Sequence, residues 1–201
     1  KEIVSYPTDG LFLSFRSHSV TNPGYRNKEV KEFGYEEPVV AEFRQRYGVD
    51  IRTQPFDREK WHSIKGEFFT QLLREIRGEI RPEMPVWICP VSAYGDGPTS
   101  KSQHEMDYAT WHKENLVQGV VVCGPKIQQG RAHETSGTLL PIQPSIISKY
   151  GPLREMGLDL LYFASVDQRE KCKWSYVPTI LRNFKGTPFR GITIMEGYRF
   201  Q

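Results

Sequence analysis

Residues 9 to 19 read DGLFLSFRSHS. The first seven are mostly apolar, the kind of run found in a strand covered on both faces in a parallel sheet. The run then breaks into Arg16, Ser17, His18 and Ser19. A cation and an imidazole at the exit of a buried strand carry meaning only if the sheet is parallel. Right-handed crossovers then bring every strand's carboxyl end to one edge, where side chains from different strands meet.

The remaining chain supports that premise. Residues 20 to 35, with Asn22-Pro23-Gly24, read as a long loop. A helix is expected over 36 to 48, with Pro38 in its first turn, Val39, Val40, Phe43 and Tyr47 at helical spacing, and Gly48 as its stop. A longer helix is expected over 57 to 79, with Trp61, Ile64, Phe68, Leu72 and Ile76 as its apolar stripe. Strand patterns follow at 84 to 91 (MPVWICPV), 119 to 124 (GVVVCG), 158 to 166 (LDLLYFASV) and 191 to 195 (GITIM). Between them come a Gly/Pro/Ser-rich loop bearing Tyr94 and Asp96, a short helix over 106 to 115, and a helix capped by Ser145 that ends near Gly157. Pro141 and Pro144 argue against a strand in TLLPIQP.

Strands alternating with helices over the whole length predict an α/β fold with a parallel sheet. The loops after strands are long and rich in Tyr, His, Asp and Glu, whereas the turns from helix to strand (RPEM, NLVQG, MGLD) are short. That asymmetry is the habit of a (β/α) barrel with its chemistry on the carboxyl face.

Composition narrows the function classes. A chain of 201 residues with a net charge of +3 and no block of like charges gives little reason to expect a nucleic-acid or membrane partner. Cys89, Cys123 and Cys172 lie far apart without metal-ligand spacing, and the first two sit in apolar runs, so buried free thiols are expected. No run approaches a membrane span and no signal peptide is visible, so localisation stays open between secreted, periplasmic and other compartments. The chain begins at Lys1, which suggests a segment processed or excised from something longer.

The run FGYEEPVVAEFRQRYGVDIRTQPFDREKWHSIKGEFFTQLLREIR, residues 33 to 77, resembles bacterial family-ten-glycosidase-like proteins, a group of glycoside-hydrolase-like (β/α)8 barrels. In that group a strand like DGLFLSFRSHS precedes a G-Y-x-E-P-V-V element, an R-Y-G-V-D turn and a W-x-x-x-K/R-G-E-x-x-T-Q helix, and all occur here in that order. The resemblance implies a TIM barrel. Eight β/α units need about 250 residues, and about five strands are legible here. Residues 1 to 201 are therefore expected to form a single, partial barrel, the carboxyl-terminal part of a larger catalytic-type domain whose upstream segment is missing.

Cleaving a glycosidic bond usually takes two carboxyl groups, ~5 to 5.5 Å apart for retention or ~6.5 to 9.5 Å for inversion. Glu36 and Glu37 stand in the loop after the first strand, and Glu196 directly follows GITIM, so Glu36 and Glu196 are the candidate catalytic pair. Glu36 or Glu37 ahead of Pro38 would equally serve a helix N-terminus, and Glu196 would equally be a plain exposed acid. Asp96 in GDG is either a turn residue or a substrate contact, and Glu134 is a further loop acid.

Arg16 and His18 share a side of the strand and are read as a site wall that positions substrate, the alternative being an ion pair closing the top of the barrel. Tyr35 and Tyr94 are the better candidates for stacking on sugar, ahead of Tyr25 and of Trp87, which reads as core. Trp61 and Trp111 read as helix packing residues. His104, Asp107 and His112 match no recognised metal-ligand spacing, so neither metal nor cofactor is expected. Phosphate loops and nucleophile elbows are absent. The expected function is hydrolysis of O-glycosidic bonds in a poly- or oligosaccharide. The alternatives are a carbohydrate-binding barrel without catalysis and, more remotely, a scaffold half-domain.

Overall fold

The computed structural model describes residues 7–14, 34–89, 105–123, 144–165, 182 and 184–195. In chain order the elements are β1 (Leu11–Ser14), α1 (Glu37–Tyr47), α2 (Arg58–Glu79), β2 (Val86–Cys89), α3 (Tyr108–Lys113), β3 (Gly119–Cys123), α4 (Pro144–Met156), β4 (Asp159–Ser165) and β5 (Gly191–Met195). The fold is α/β, and the five strands form one sheet in the order β1-β2-β3-β4-β5. All four pairings are parallel. Spatial order therefore follows chain order without the reversal that marks a doubly wound sheet.

Register sorts the strand residues into two faces. On one, Val86, Ile88, Val120, Val122, Leu158 and Leu160 are buried in the main core. Leu73 of α2, Trp111 of α3 and Leu153 of α4 belong to the same core, so all three helices cover this face. On the other, Phe12, Trp87, Gly119 and Asp159 form one row across four strands. Phe12 is 44% exposed there.

The short turns are built from helix-terminating backbone. After α4, Gly157 adopts φ 110°, its N–H donates to the Arg154 carbonyl, and the Leu158 N–H reaches back to Leu153, which delivers the chain into β4. After α3 the same pair of bonds, Asn115 to His112 and Leu116 to Trp111, surrounds Asn115 at φ 54°. Asn tolerates this left-handed conformation better than most residues.

At the amino edge of the sheet, Arg77 ties α2 to the starts of two strands. Its guanidinium donates to the Met84 and Leu116 carbonyls and to Gln118 Oε1, at 2.8, 2.8 and 2.9 Å. Burial pushes its pKa below the ordinary arginine value. Asp159 sits at the same edge between Arg154 and Arg190.

Two expectations from the sequence need correction. α2 has the expected length, with the Asp57 carboxylate accepting from the Glu59 and Lys60 N–H groups, but its buried face is Trp61, Ile64, Gly66, Thr70 and Leu73. Phe68 and Leu72 are 40% and 43% exposed. The reason is close packing by small residues: an added Cβ at Gly66 would lie 2.6 Å from the Glu105 carbonyl oxygen, and Thr70 accepts the buried Trp111 indole N–H at 2.8 Å. In α4, Pro144 already lies in the helix, so Ser145 is not its cap.

Candidate functional site

Among the described residues, the crossover from β1 to β2 carries two helices, and α1 builds a second, smaller core with α2. Val39, Val40 and Phe43 of α1 pack with Ile51 and with Trp61 and Ile64 of α2, and Tyr35 and Phe56 lie against them. α2 is ~33 Å long at 1.5 Å per residue. Arg77 anchors the end of α2 at the amino edge of the sheet, so its first turns extend toward the carboxyl edge. The small core, and with it the segment entering α1, therefore lies on the side where the strands end.

That segment is held residue by residue. Gly34 takes φ 107°, and a Cβ there would lie 2.3 Å from Lys65 Cδ and 2.9 Å from the Trp61 ring, so only glycine fits. Its carbonyl accepts the buried Trp61 indole N–H at 2.8 Å. Lys65 Nζ stands 3.5 Å from the centroid of the same indole, a cation–π contact. The Tyr35 carbonyl accepts from Arg52 Nη2 at 2.8 Å and from its Nε at 3.3 Å, while Arg52 Nη1 bonds the Glu37 carboxylate at 2.7 Å.

Glu36 is the N-cap residue of α1, with φ −66° and ψ 149°. Its carbonyl accepts the Val40 N–H at 3.1 Å. Its side chain is exposed and makes no capping hydrogen bond, so the carboxylate does not serve the helix through a bond to backbone. Glu37 lies in the first turn, where its charge favours the helix end. The other end of α1 closes on Gly48 at φ 69°, whose N–H bonds the Arg44 carbonyl. The Arg52 N–H and the Arg44 guanidinium hold the Asp50 carboxyl below the usual carboxylate range.

Of the seven candidate site residues, the structure places Tyr35 and Glu36. Arg16, His18, Tyr94, Asp96 and Glu196 lie outside the described residues, as do Tyr25, His104 and Glu134. Tyr35 is half-buried, with its ring 5.0 Å from Trp61 and 6.3 Å from Phe56, centroid to centroid. Part of that ring is thus engaged in the small core. Trp87 lies over Gly119 on the sheet, and Trp61 and Trp111 are fully buried packing residues. Asp107 caps α3 through the Thr110 N–H at 2.9 Å. No three His, Cys, Asp or Glu side chains cluster as a metal site among the described residues, and none of the described helices is long and apolar enough to cross a membrane. Cys89 is a buried free thiol.

Arg52 is the residue that reading the sequence missed. It follows the R-Y-G-V-D turn by two positions, and a single arginine there has no pattern to distinguish it. Within residues 34 to 77, Gly34, Trp61 and Lys65 pack together, while Gly66 and Thr70 seat α2 against Glu105 and Trp111. These residues account for the shape of the segment. Comparison of the chain with protein-family models, with curated proteins and with solved structures finds no match.

Proposed function

We propose that this chain is the carboxyl-terminal part of a (β/α)8 barrel of the family-ten-glycosidase-like kind, and that the barrel, completed by an upstream segment, hydrolyses O-glycosidic bonds in a poly- or oligosaccharide. Glu36 and Glu196 are its acid/base pair, Arg16 and His18 position the sugar, and Tyr35, Tyr94 and Asp96 contact it. One observation carries the reading: the parallel strands lie in chain order with α2, α3 and α4 on one face. Such a sheet gathers its strand exits at one edge, and curling into a barrel covers a second face that here includes exposed Phe12. The exposed, uncapped carboxylate of Glu36 suits an acid waiting for substrate.

The test is hydrolysis of plant, algal and bacterial glycans by the full-length parent protein beside Glu36→Gln and Glu196→Gln. The expected result is turnover that falls ~10²- to 10⁴-fold in either variant, with circular dichroism unchanged. Sugar binding without turnover would assign the protein to the carbohydrate-binding class. A separation between the two carboxyl groups much beyond ~10 Å, with no other acid facing Glu36, would rule out the two-carboxylate mechanism.

A further inference from the structure

We infer that Arg52 is a positioning residue that fixes the backbone from which Glu36 presents its carboxylate, an inference that rests on the reading of Glu36 as an acid of the site. Three of the four residues from 34 to 37 are tied down by side chains. Trp61 holds the Gly34 carbonyl, and Arg52 holds the Tyr35 carbonyl and the Glu37 carboxylate. One guanidinium therefore grips the residue before Glu36 and the residue after it. Because the guanidinium is planar and its N–H groups are fixed relative to one another, this grip sets the mutual orientation of its two partners in a way a lysine could not.

The support for the clamp is itself constructed. The Arg52 N–H donates to Asp50 Oδ1 at 3.0 Å, and the Asp50 N–H donates to Gln54 Oε1 at 2.8 Å. Asp50 also pairs with Arg44 of α1. The turn that presents Arg52 is thus locked to the helix that Glu36 begins. Within this assembly the Glu36 side chain stays exposed with no capping bond.

Stability alone does not explain the arrangement. The Arg52 and Glu37 side chains are 41% and 66% exposed, and ion pairs so open to water contribute little to folding. Geometry is what the fork supplies. A carboxylate doing acid/base work must be held within a fraction of an ångström, and small misplacements cost large factors in rate.

The experiment uses the full-length parent protein with Arg52→Met, Arg52→Lys and, as reference, Glu36→Gln, and it has two readouts. Amide hydrogen exchange measured by mass spectrometry is expected to quicken about tenfold over the first turn of α1, where the Val40 N–H bonds the Glu36 carbonyl, in Arg52→Met, with exchange across α2 unchanged. On a glycan that the parent turns over, kcat is expected to fall ~10- to 100-fold with KM held within about threefold, and Arg52→Lys is expected to remain impaired. Unchanged exchange over that first turn would overturn the inference. An enzyme that needs Glu36 yet keeps its kcat in Arg52→Met would overturn it too, while leaving the hydrolase reading intact. Full turnover in Glu36→Gln would instead remove Glu36 from the site, and the inference with it. If no glycan is turned over, the exchange readout alone decides whether Arg52 holds this run.

Discussion

Gly119 shows how much one missing side chain decides. It stands in the central strand, and an added Cβ would lie 2.3 Å from Trp87 Cζ3 and 2.7 Å from the Asp159 carbonyl oxygen. A rotamer change can displace the indole, but a neighbouring strand's carbonyl cannot move without opening the ladder. Gly119→Ala is expected to cost about 1 to 3 kcal/mol, lowering the urea midpoint with an unchanged m-value. Gly191→Ala is the control, since its Cβ would lie 3.3 Å from Leu161 Cδ2, a side-chain end that can yield. At this scale the sequence was legible for single large residues and opaque for partnerships. Trp61, Trp87 and Trp111 could be read as packing groups from the apolar runs around them. The demand for glycine at 34 and 119, and the grip of Arg52 on Tyr35 and Glu37, join positions far apart in the chain, and nothing in a local pattern announces them.

α2 makes the same point for an element. Its limits were readable, because Asp57 caps the start and the apolar periodicity persists to residue 79. Its buried face was not. Hydrophobicity favours Phe68 and Leu72, while the structure turns Gly66 and Thr70 inward because the segment from Glu105 to Trp111 packs too closely for larger side chains. Thr70→Val tests this packing: it keeps the shape but leaves the Trp111 indole N–H buried without an acceptor, an expected loss of about 1 to 3 kcal/mol by chemical denaturation. Thr70→Ser keeps the hydroxyl and should recover part of that loss. A further clamp between the same elements, Arg74 to Glu114 at 2.7 Å, is exposed and holds the Glu114 carboxyl below its usual value. Tertiary packing, which periodicity does not record, chose the face.

For the molecule as a whole, the alternation of strands and helices was enough to read a parallel α/β sheet, whereas most of the candidate site follows strand ends in sequence and only Tyr35 and Glu36 fall in described structure. Stability against alkali is a property of the shared core. Tyr108 is buried there, and burial first, then the neighbouring Tyr150 and Cys89, raise its phenol above the ordinary tyrosine value. Below about pH 10 both folded and unfolded chains keep this proton; above it the unfolded chain releases a proton that the folded chain retains, so stability falls as pH rises. Tyr108→Phe is expected to flatten the alkaline decline by up to about 1.4 kcal/mol per pH unit, read as thermal midpoints from about pH 9 to about pH 11. Parallel declines in parent and variant would contradict it. The chain-order stacking of the sheet also bears on how the protein is made. A ribosome releases the strands in the order in which they pair, so each new strand finds its neighbour already present and each finished helix can cover the apolar face beside it. Assembly can thus keep pace with synthesis one β/α unit at a time, and none of the described strands has to wait for a partner encoded beyond its successor.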